Sequence, residues 1–311
     1  MSEPRARKVR LARRIVLAPD MTAPAALAAA AEEGLRQLVA NEASARLGID
    51  VEGVHQMRVG LRRLKVALSL ANKLDLAPER DALKAELDWI GDVLGRARDL
   101  DVFIADTLEP LRARHAKEAS LARLHRVARA AREAAYAALR ETLDSPRYAA
   151  ARQRLGAWIA VLESATGSAP RQPSLGEIAV ALLDKRDRRL RRFALKRGWH
   201  SKAELHALRL HAKKLRYTAA FFASLFPRKS TKAFIAAVSE LQDVLGLAHD
   251  SEVARHVLAA LGTRPAPDAP PRGTWRRADA LVEGWHLVKS ADVAQRIEPA
   301  WLAVKNAKRF W

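Results

Sequence analysis

Residues 54–65 read Val54-His-Gln-Met-Arg-Val-Gly-Leu-Arg-Arg-Leu-Lys65, and their spacing decides the fold class. On a helix advancing ~100° per residue, Val54, Met57, Leu61, Leu64 and Leu68 recur at steps of three and four. They form one apolar stripe, which must face a core. His55, Arg58, Arg62 and Lys65 recur at similar steps, within roughly an 80° arc beside that stripe. Arg63 falls on the opposite flank. A helix clamped on one side and cationic on the next is a candidate rail for an anion.

The stretch recurs. Residues 205–216 read Leu205-His-Ala-Leu-Arg-Leu-His-Ala-Lys-Lys-Leu-Arg216, so His206, Arg209, Lys213, Lys214 and Arg216 stand where His55, Arg58, Arg62, Arg63 and Lys65 stand in the first copy, all at an offset of 151. Asp92-Val-Leu-Gly95 and Asp243-Val-Leu-Gly246 share that offset, as do Asp99 with Asp250, Asp101 with Glu252 and Val102 with Val253. Two separated motifs at one ungapped offset mark an internal duplication. Two homologous halves related by a pseudo-twofold axis are therefore expected.

Composition agrees with helices. Aromatics are 5% of the 311 residues, and the fourteen Gly and fourteen Pro cluster between periodic segments. No β-alternating run of useful length appears, so the fold class is all-α. Without cysteine, disulfides and thiolate metal sites are excluded and a reducing compartment is expected. The longest uncharged runs, 21–31 and 217–227, are too short for a membrane span. No signal-peptide core follows Arg13-Arg14, so the reading is cytoplasmic. The net charge of +20 raises affinity for any polyanion.

Along the chain, residues 1–20 read as a disordered basic tail. Thr22 and Pro24 open a helix to about Leu47, and the first rail helix runs from about Asp50 to Leu74. A helix of about 79–94 is expected to stop at Gly95 as a C-cap. Asp99 would then cap the next helix, with Asp101 in its first turn. Helices of about 118–143 and 147–163 close a first bundle, 21–163. Residues 164–174 are the linker to a second bundle, 175–311. That bundle opens with a basic helix of about 175–197 carrying Lys185, Arg188, Arg189, Arg192 and Lys196. Ser201 and Glu204 have capping-box spacing at the start of the second rail helix. A helix of about 230–245 is expected to stop at Gly246, with Asp250 opening another. The proline-rich span 262–274 reads as a loop, and the closing helices carry Trp275, Trp285 and Trp301 as candidate core anchors.

A line of cations suits a line of phosphates, because individually weak contacts add up and release counterions, and Arg forks grip phosphate oxygens in pairs. His55 and His206 begin their rails and could each donate a ring N–H to an anion. Neighbouring phosphates would favour the protonated form. Arg98 and His249 are equivalent positions in the two copies, and both are further anion-binding candidates. The carboxylates at 92, 99 and 101 and at 243, 250 and 252 suit helix ends better than a metal site. His211 is among the histidines without ligand spacing. No phosphate loop and no nucleophile elbow appears, so no catalytic residue, metal or cofactor is implied.

Four motifs carry a family resemblance: His55-Gln-Met-Arg-Val-Gly-Leu-Arg-Arg-Leu-Lys65, Gly95-Arg-Ala-Arg-Asp-Leu-Asp-Val102, Leu205 to Tyr217, and Leu241-Gln-Asp-Val-Leu-Gly246. Together they resemble the conserved-histidine α-helical domain, CHAD, over about 21–311, including the ending Lys308-Arg-Phe-Trp311. The resemblance implies two antiparallel four-helix bundles about a pseudo-twofold, with a basic central groove or pore. It also implies binding of inorganic polyphosphate and location at polyphosphate granules. The family's histidines and basic residues carry over to His55, Arg58, Arg62, Arg63 and Lys65 and to His206, Arg209, Lys213, Lys214 and Arg216. The helix at 185–196 is a weaker carry-over. Many relatives carry a CYTH triphosphatase domain with a Glu-x-Glu-x-Lys motif. Residues 1–20 hold none, so a stand-alone, non-enzymatic member is expected. The rivals are a nucleic-acid-binding, nucleoid-associated protein using the same cations, an enzyme on phosphorylated substrates, and an adapter that recruits granule-associated proteins.

Overall fold

The computed structural model describes residues 8–165, 173–197, 199, 201–262 and 272–311, and these are helical with no strand among them. The chain divides into two compact units. The first comprises residues 1–14, 24–168 and 254–282, and the second 15–23, 169–253 and 283–311. The boundary does not follow the expected linker alone. It also cuts a long helix, so 254–282 belong to the first unit rather than to the second half. The linker and the loop at 262–274 lie mostly outside the described residues.

In the first unit, α1 (Ala23–Ala40) and α2 (Glu42–Leu47) precede the rail helix α3 (Glu52–Ala71). A single helix to Leu47 was expected; the break is at Asn41, fully buried, whose amide donates to the Gln37 carbonyl (2.9 Å). Gly48 ends α2 at φ 65°, and a Cβ there would lie 2.8 Å from the Tyr136 ring. Backbone conformation and space both demand glycine at that corner. The expected stripe on α3 is present: Val54, Met57, Leu61, Leu64 and Leu68 are all buried. A 3₁₀ turn follows at Asn72–Leu74, then α4 (Arg80–Val102). Helix α4 packs against α3, α6 (Ala119–Asp144) and α7 (Pro146–Ser164).

Gly95 does not end α4, and Asp99 caps nothing. The helix continues to Val102, passes through a π-helical turn at Phe103–Leu108, and ends as α5 (Glu109–Arg114). The apolar period runs straight through the glycine, since Leu94 and Ala97 are both fully buried. Burial of that size outweighs the roughly 1 kcal/mol that an interior glycine costs. Asp101 is therefore no first-turn carboxylate but a buried hub. It accepts from Arg132 Nε (2.7 Å) and from the Tyr136 hydroxyl (2.8 Å), while Arg132 also donates to the Gly48 carbonyl (2.8 Å). Burial, reinforced by the Asp101 charge, raises the Tyr136 pKa, which keeps the hydroxyl a donor. Arg132 thus leaves the exposed basic face of α6, where Arg126 and Arg129 remain.

The amino-terminal segment corrects the expectation of disorder where it is described. Asn41 Oδ1 accepts from the Arg10 amide (2.9 Å), and Gln37 and Asn41 both donate to the Arg10 carbonyl (2.7 and 3.0 Å). Buried amide side chains need partners, and the segment's main chain supplies them.

The second unit holds α8 (Leu175–Arg197), the rail helix α9 (Lys202–Phe221), a 3₁₀ turn at Ala223–Leu225 and most of α10 (Arg228–Gly262). The expected capping box at Ser201 and Glu204 is present. The two 3₁₀ turns, 72–74 and 223–225, are again 151 apart. Helix α10 runs through Gly246, so Asp250 opens no new helix. Helices α11 (Arg272–Ser290) and α12 (Val293–Asn306) follow. Trp301 is buried; Trp275 and Trp285 are only half-buried. The carboxyl-terminal residues close this unit. Phe310 and Trp311 meet Phe234 edge-on, Trp311 Nε1 donates to Asp184 (2.8 Å), and Arg309 and Arg191 both grip Asp187, fully buried.

Removing the carboxylate of Asp101 strands Arg132 in the interior. Asp101→Ala should cost about 3–5 kcal/mol of unfolding free energy, read as a lowered denaturant midpoint. An unchanged midpoint would refute the hub.

Candidate anion-binding faces

On the first rail, His55, Arg58, Arg62 and Lys65 are all half-buried, beside the packed stripe. Their charges meet those of α4. The His55 imidazole is held below its ordinary value, first by burial and then by the positive charges of Arg98, Arg62 and Arg58, with Glu52 opposing. Arg98 therefore joins His55, Arg58 and Arg62 in one electropositive cluster, although sequence reading ranked it low.

Two glycines of α4 make room for this cluster. A Cβ at Gly95 would lie 3.1 Å from an Arg58 guanidinium nitrogen, and one at Gly91 would lie 3.1 Å from Lys65 Nζ. Residue numbers fall along α4 as they rise along α3, so the two helices run in opposite senses. The cations lie flat across the glycine positions instead of projecting into water. Lys65 is ion-paired to Asp88 at 2.7 Å, whereas Arg62 makes no ion pair among the described residues.

Arg63 behaves as its off-arc position suggested. It donates to the Arg13 carbonyl (2.8 Å) and stands 3.4 Å from Glu33, which also accepts from the Arg13 amide (2.8 Å). It ties the amino-terminal segment to the helices, away from the cluster.

On the second rail, His206 is exposed and Arg209, Lys213 and Arg216 are half-buried. The Nε atoms of Arg209 and Arg216 are buried without a hydrogen-bond partner among the described residues. Buried donors of charged groups are costly to leave unmade. Arg216 also stacks over Tyr217, 4.9 Å from its centroid.

Lys214 is exposed, and its charge and that of Arg189 both act on His211. Burial and these two cations lower the His211 pKa, and the imidazole rests 5.2 Å from the Phe193 ring. Arg186 donates to the Lys214 carbonyl (2.6 Å) and to the Thr218 hydroxyl. Burial, with Arg189 adding to it, brings the Arg186 pKa down to about 10. Sequence reading missed Arg186 and passed over His211, because their part depends on α8 lying against α9.

Lys185, Arg188, Arg189, Arg192 and Lys196 are all exposed, and none forms an ion pair among the described residues. On the helix they share roughly a 100° arc. Of the acidic residues of α8, Glu177 is engaged by Ser174 at the helix start, and Asp184 and Asp187 are turned to Arg191, Arg309 and Trp311. The helix thus sorts its charges by face. The side chain of His249 lies outside the described residues. Among the described residues no group of three His, Cys, Asp or Glu could hold a metal, and no helix is long and apolar enough to cross a membrane.

Two all-helical units, each with a half-buried cationic face on a duplicated, histidine-led helix, define the class of helical protein to which this chain is compared. The CHAD domain family matches residues 29–259, and the chain belongs to that family. The crystal structure of the CHAD domain from the plant Ricinus communis is similar at TM-score 0.82 and 28% identity, over 97% of this chain and 98% of that one. PptA from Streptomyces chartreusis shares the fold at TM-score 0.57 and 18% identity, over 91% and 98%. No curated protein matches.

The depressed His55 value has a sign that can be checked. A folded-state pKa below the unfolded ~6.5 means that the unfolded chain binds more protons, so His55 withdraws stability as pH falls through and below ~6.5. An NMR titration should place His55 below the ordinary histidine value, and Arg98→Gln should move it up. A His55 value at or above ~6.5 in the unbound protein would contradict the cluster.

Proposed function

We propose that this chain binds inorganic polyphosphate without transforming it. The ligand would lie along the rail cations His55, Arg58, Arg62 and Lys65 of α3 and His206, Arg209, Lys213 and Arg216 of α9, with Lys214 and the α8 stripe as a further face. Arg63 serves in holding the segment around Arg13. Arg98 belongs with the first rail, by its charge on His55.

The observation that carries this reading is the duplicated cation pattern on two packed helices, with Arg58, Arg62 and Lys65 half-buried in one unit and Arg209, Lys213 and Arg216 half-buried in the other. A solvated face would have its charges paired and exposed. Here the Arg209 and Arg216 Nε donors are buried and unmatched, and the His55 cluster holds three like charges around an imidazole. A run of phosphates would relieve the repulsion among those like charges. Membership of the CHAD family supports the same ligand, and with it a cytoplasmic place at polyphosphate granules. The net charge of +20 also suits nucleic acid, the alternative partner. Against that alternative, the basic faces have few interleaved aromatics on which bases could stack.

The test is a titration of long-chain polyphosphate against the protein and its Arg58→Glu and Arg209→Glu variants. Each reversal should weaken binding at least about tenfold. With six or more phosphate contacts, affinity should fall by on the order of 10³ between ~50 and ~200 mM salt. Bound phosphates would raise the His55 pKa, so affinity should rise as pH falls from ~8 to ~6, and His55→Ala should flatten that rise. Unchanged affinity in both reversal variants would overturn the reading.

A further inference from the structure

The cationic path along α3 does not end at Lys65. Within the first unit a cleft of about 230 Å³ opens between the end of α3, the 3₁₀ turn at Asn72–Leu74 and the start of α4. Its floor is Leu68 and Leu87, and its rim carries Lys65, Lys73, Arg80 and Lys84. Two carboxylates stand against these cations, Asp88 within the cleft and the exposed Asp81 beside it. Asp88 accepts from Lys65 (2.7 Å) and from Lys84 (2.6 Å). Burial opposes its charge, but the two amines outweigh that and hold its pKa below the usual carboxylate range. Asp88 thus acts as a built-in anion between two amines. Arg80 pairs only with its neighbour Asp81, 87% exposed, a contact that water screens to little.

The second unit does not repeat the cations of this rim, although its helices are the duplicate. At the repeat offset of 151, Lys73, Arg80 and Lys84 correspond to Ser224, Thr231 and Ile235. The Leu17 amide donates to Ser224 Oγ (2.8 Å), the hydroxyl donates back to the Leu17 carbonyl (3.2 Å), and Leu17 is 2% exposed. In this copy the positions equivalent to Lys73, Arg80 and Lys84 are uncharged, and the chain's own Leu17 bonds to Ser224 there. The other is open and ringed with cations.

We propose that the cleft is a site for a compact terminal oligophosphate: two or three linked phosphoryl groups ending in a free one. A terminal phosphoryl group carries a second charge near neutrality, which internal groups of a chain lack, and four cations around one cleft answer that excess. Such a group is the free end of an inorganic polyphosphate or the tail of a nucleoside triphosphate. The inference shares Lys65 with the polyphosphate reading and goes beyond it by assigning a chain-end site to one half alone.

Inorganic tripolyphosphate, ATP and long-chain polyphosphate are titrated by calorimetry against three proteins. These are the wild type, Lys73→Ala/Arg80→Ala/Lys84→Ala, and the equal-charge control Arg126→Ala/Arg129→Ala/Arg154→Ala, all surface changes checked for folding by denaturant midpoint. The cleft variant should lose about tenfold or more for a compact ligand, and the control less than about twofold. Long-chain binding should fall less than about threefold, because the rails remain. Tripolyphosphate binding alone assigns the site to a chain end. Tighter ATP binding assigns it to a nucleotide tail. Equal losses in both variants, or no compact-ligand binding by the wild type, would overturn the proposal. Failure of wild-type long-chain binding would instead overturn the polyphosphate reading, because the compact-ligand comparison is decided separately.

Discussion

Burial of Val54, Met57, Leu61, Leu64 and Leu68 on one side of α3 is the constraint from which the cationic face follows. Four cations within one arc repel each other. Left free, their long side chains would spread into water, where each is worth little to a ligand. A helix locked by its apolar stripe cannot rotate away. Its cations remain beside α4, where Gly91 and Gly95 leave space for Lys65 and Arg58. Helix α9 is locked in the same way by Leu208, Ala212, Leu215 and Ala219. Burial first, and the neighbouring like charges after it, lower the pKa of His55 and of His211.

The carboxylates are placed so as not to cancel these faces. Asp101 is spent on Arg132 and Tyr136 inside the first unit, Asp184 on Trp311, Asp187 on Arg191 and Arg309, and Glu33 on Arg36 and the Arg13 segment. Structural arginines are paired inward, while the α8 stripe remains open. A surplus of positive charge in the composition thus becomes local. It is most open along α8, whose exposed cations form no ion pair among the described residues, while Asp88 sits between Lys65 and Lys84 on the first rail.

Much of this was legible in the sequence, for physical reasons. Helical period exposes both the apolar stripe and the arc beside it. An ungapped offset of 151 links motifs whose 3₁₀ turns then coincide. Ser201 and Glu204 cap their helix as their spacing indicates. What misled was glycine. Gly95 and Gly246 read as stops, yet neither ends its helix, and Gly95 is where Arg58 comes close. A glycine chosen for a partner's side chain looks the same in one dimension as a glycine chosen for a left-handed cap. Asp101 was misplaced for the same reason, once the helix was broken in the wrong place. The segment around Arg10 and Leu17 has no period to read, since its order comes from main-chain bonds to Gln37, Asn41 and Ser224. Arg186 and His211 become informative only when α8 lies against α9.

Whether these faces select a phosphate chain or merely attract negative charge is decided most directly by competition. Long-chain polyphosphate bound to the protein at ~0.15 M salt is challenged with an excess of duplex DNA of matched phosphate content. Retention of polyphosphate is the predicted result, because half-buried cations in narrow faces fit a thin flexible chain better than a wide duplex. Displacement by DNA in proportion to its phosphate would contradict that claim and reduce the rails to generic positive charge.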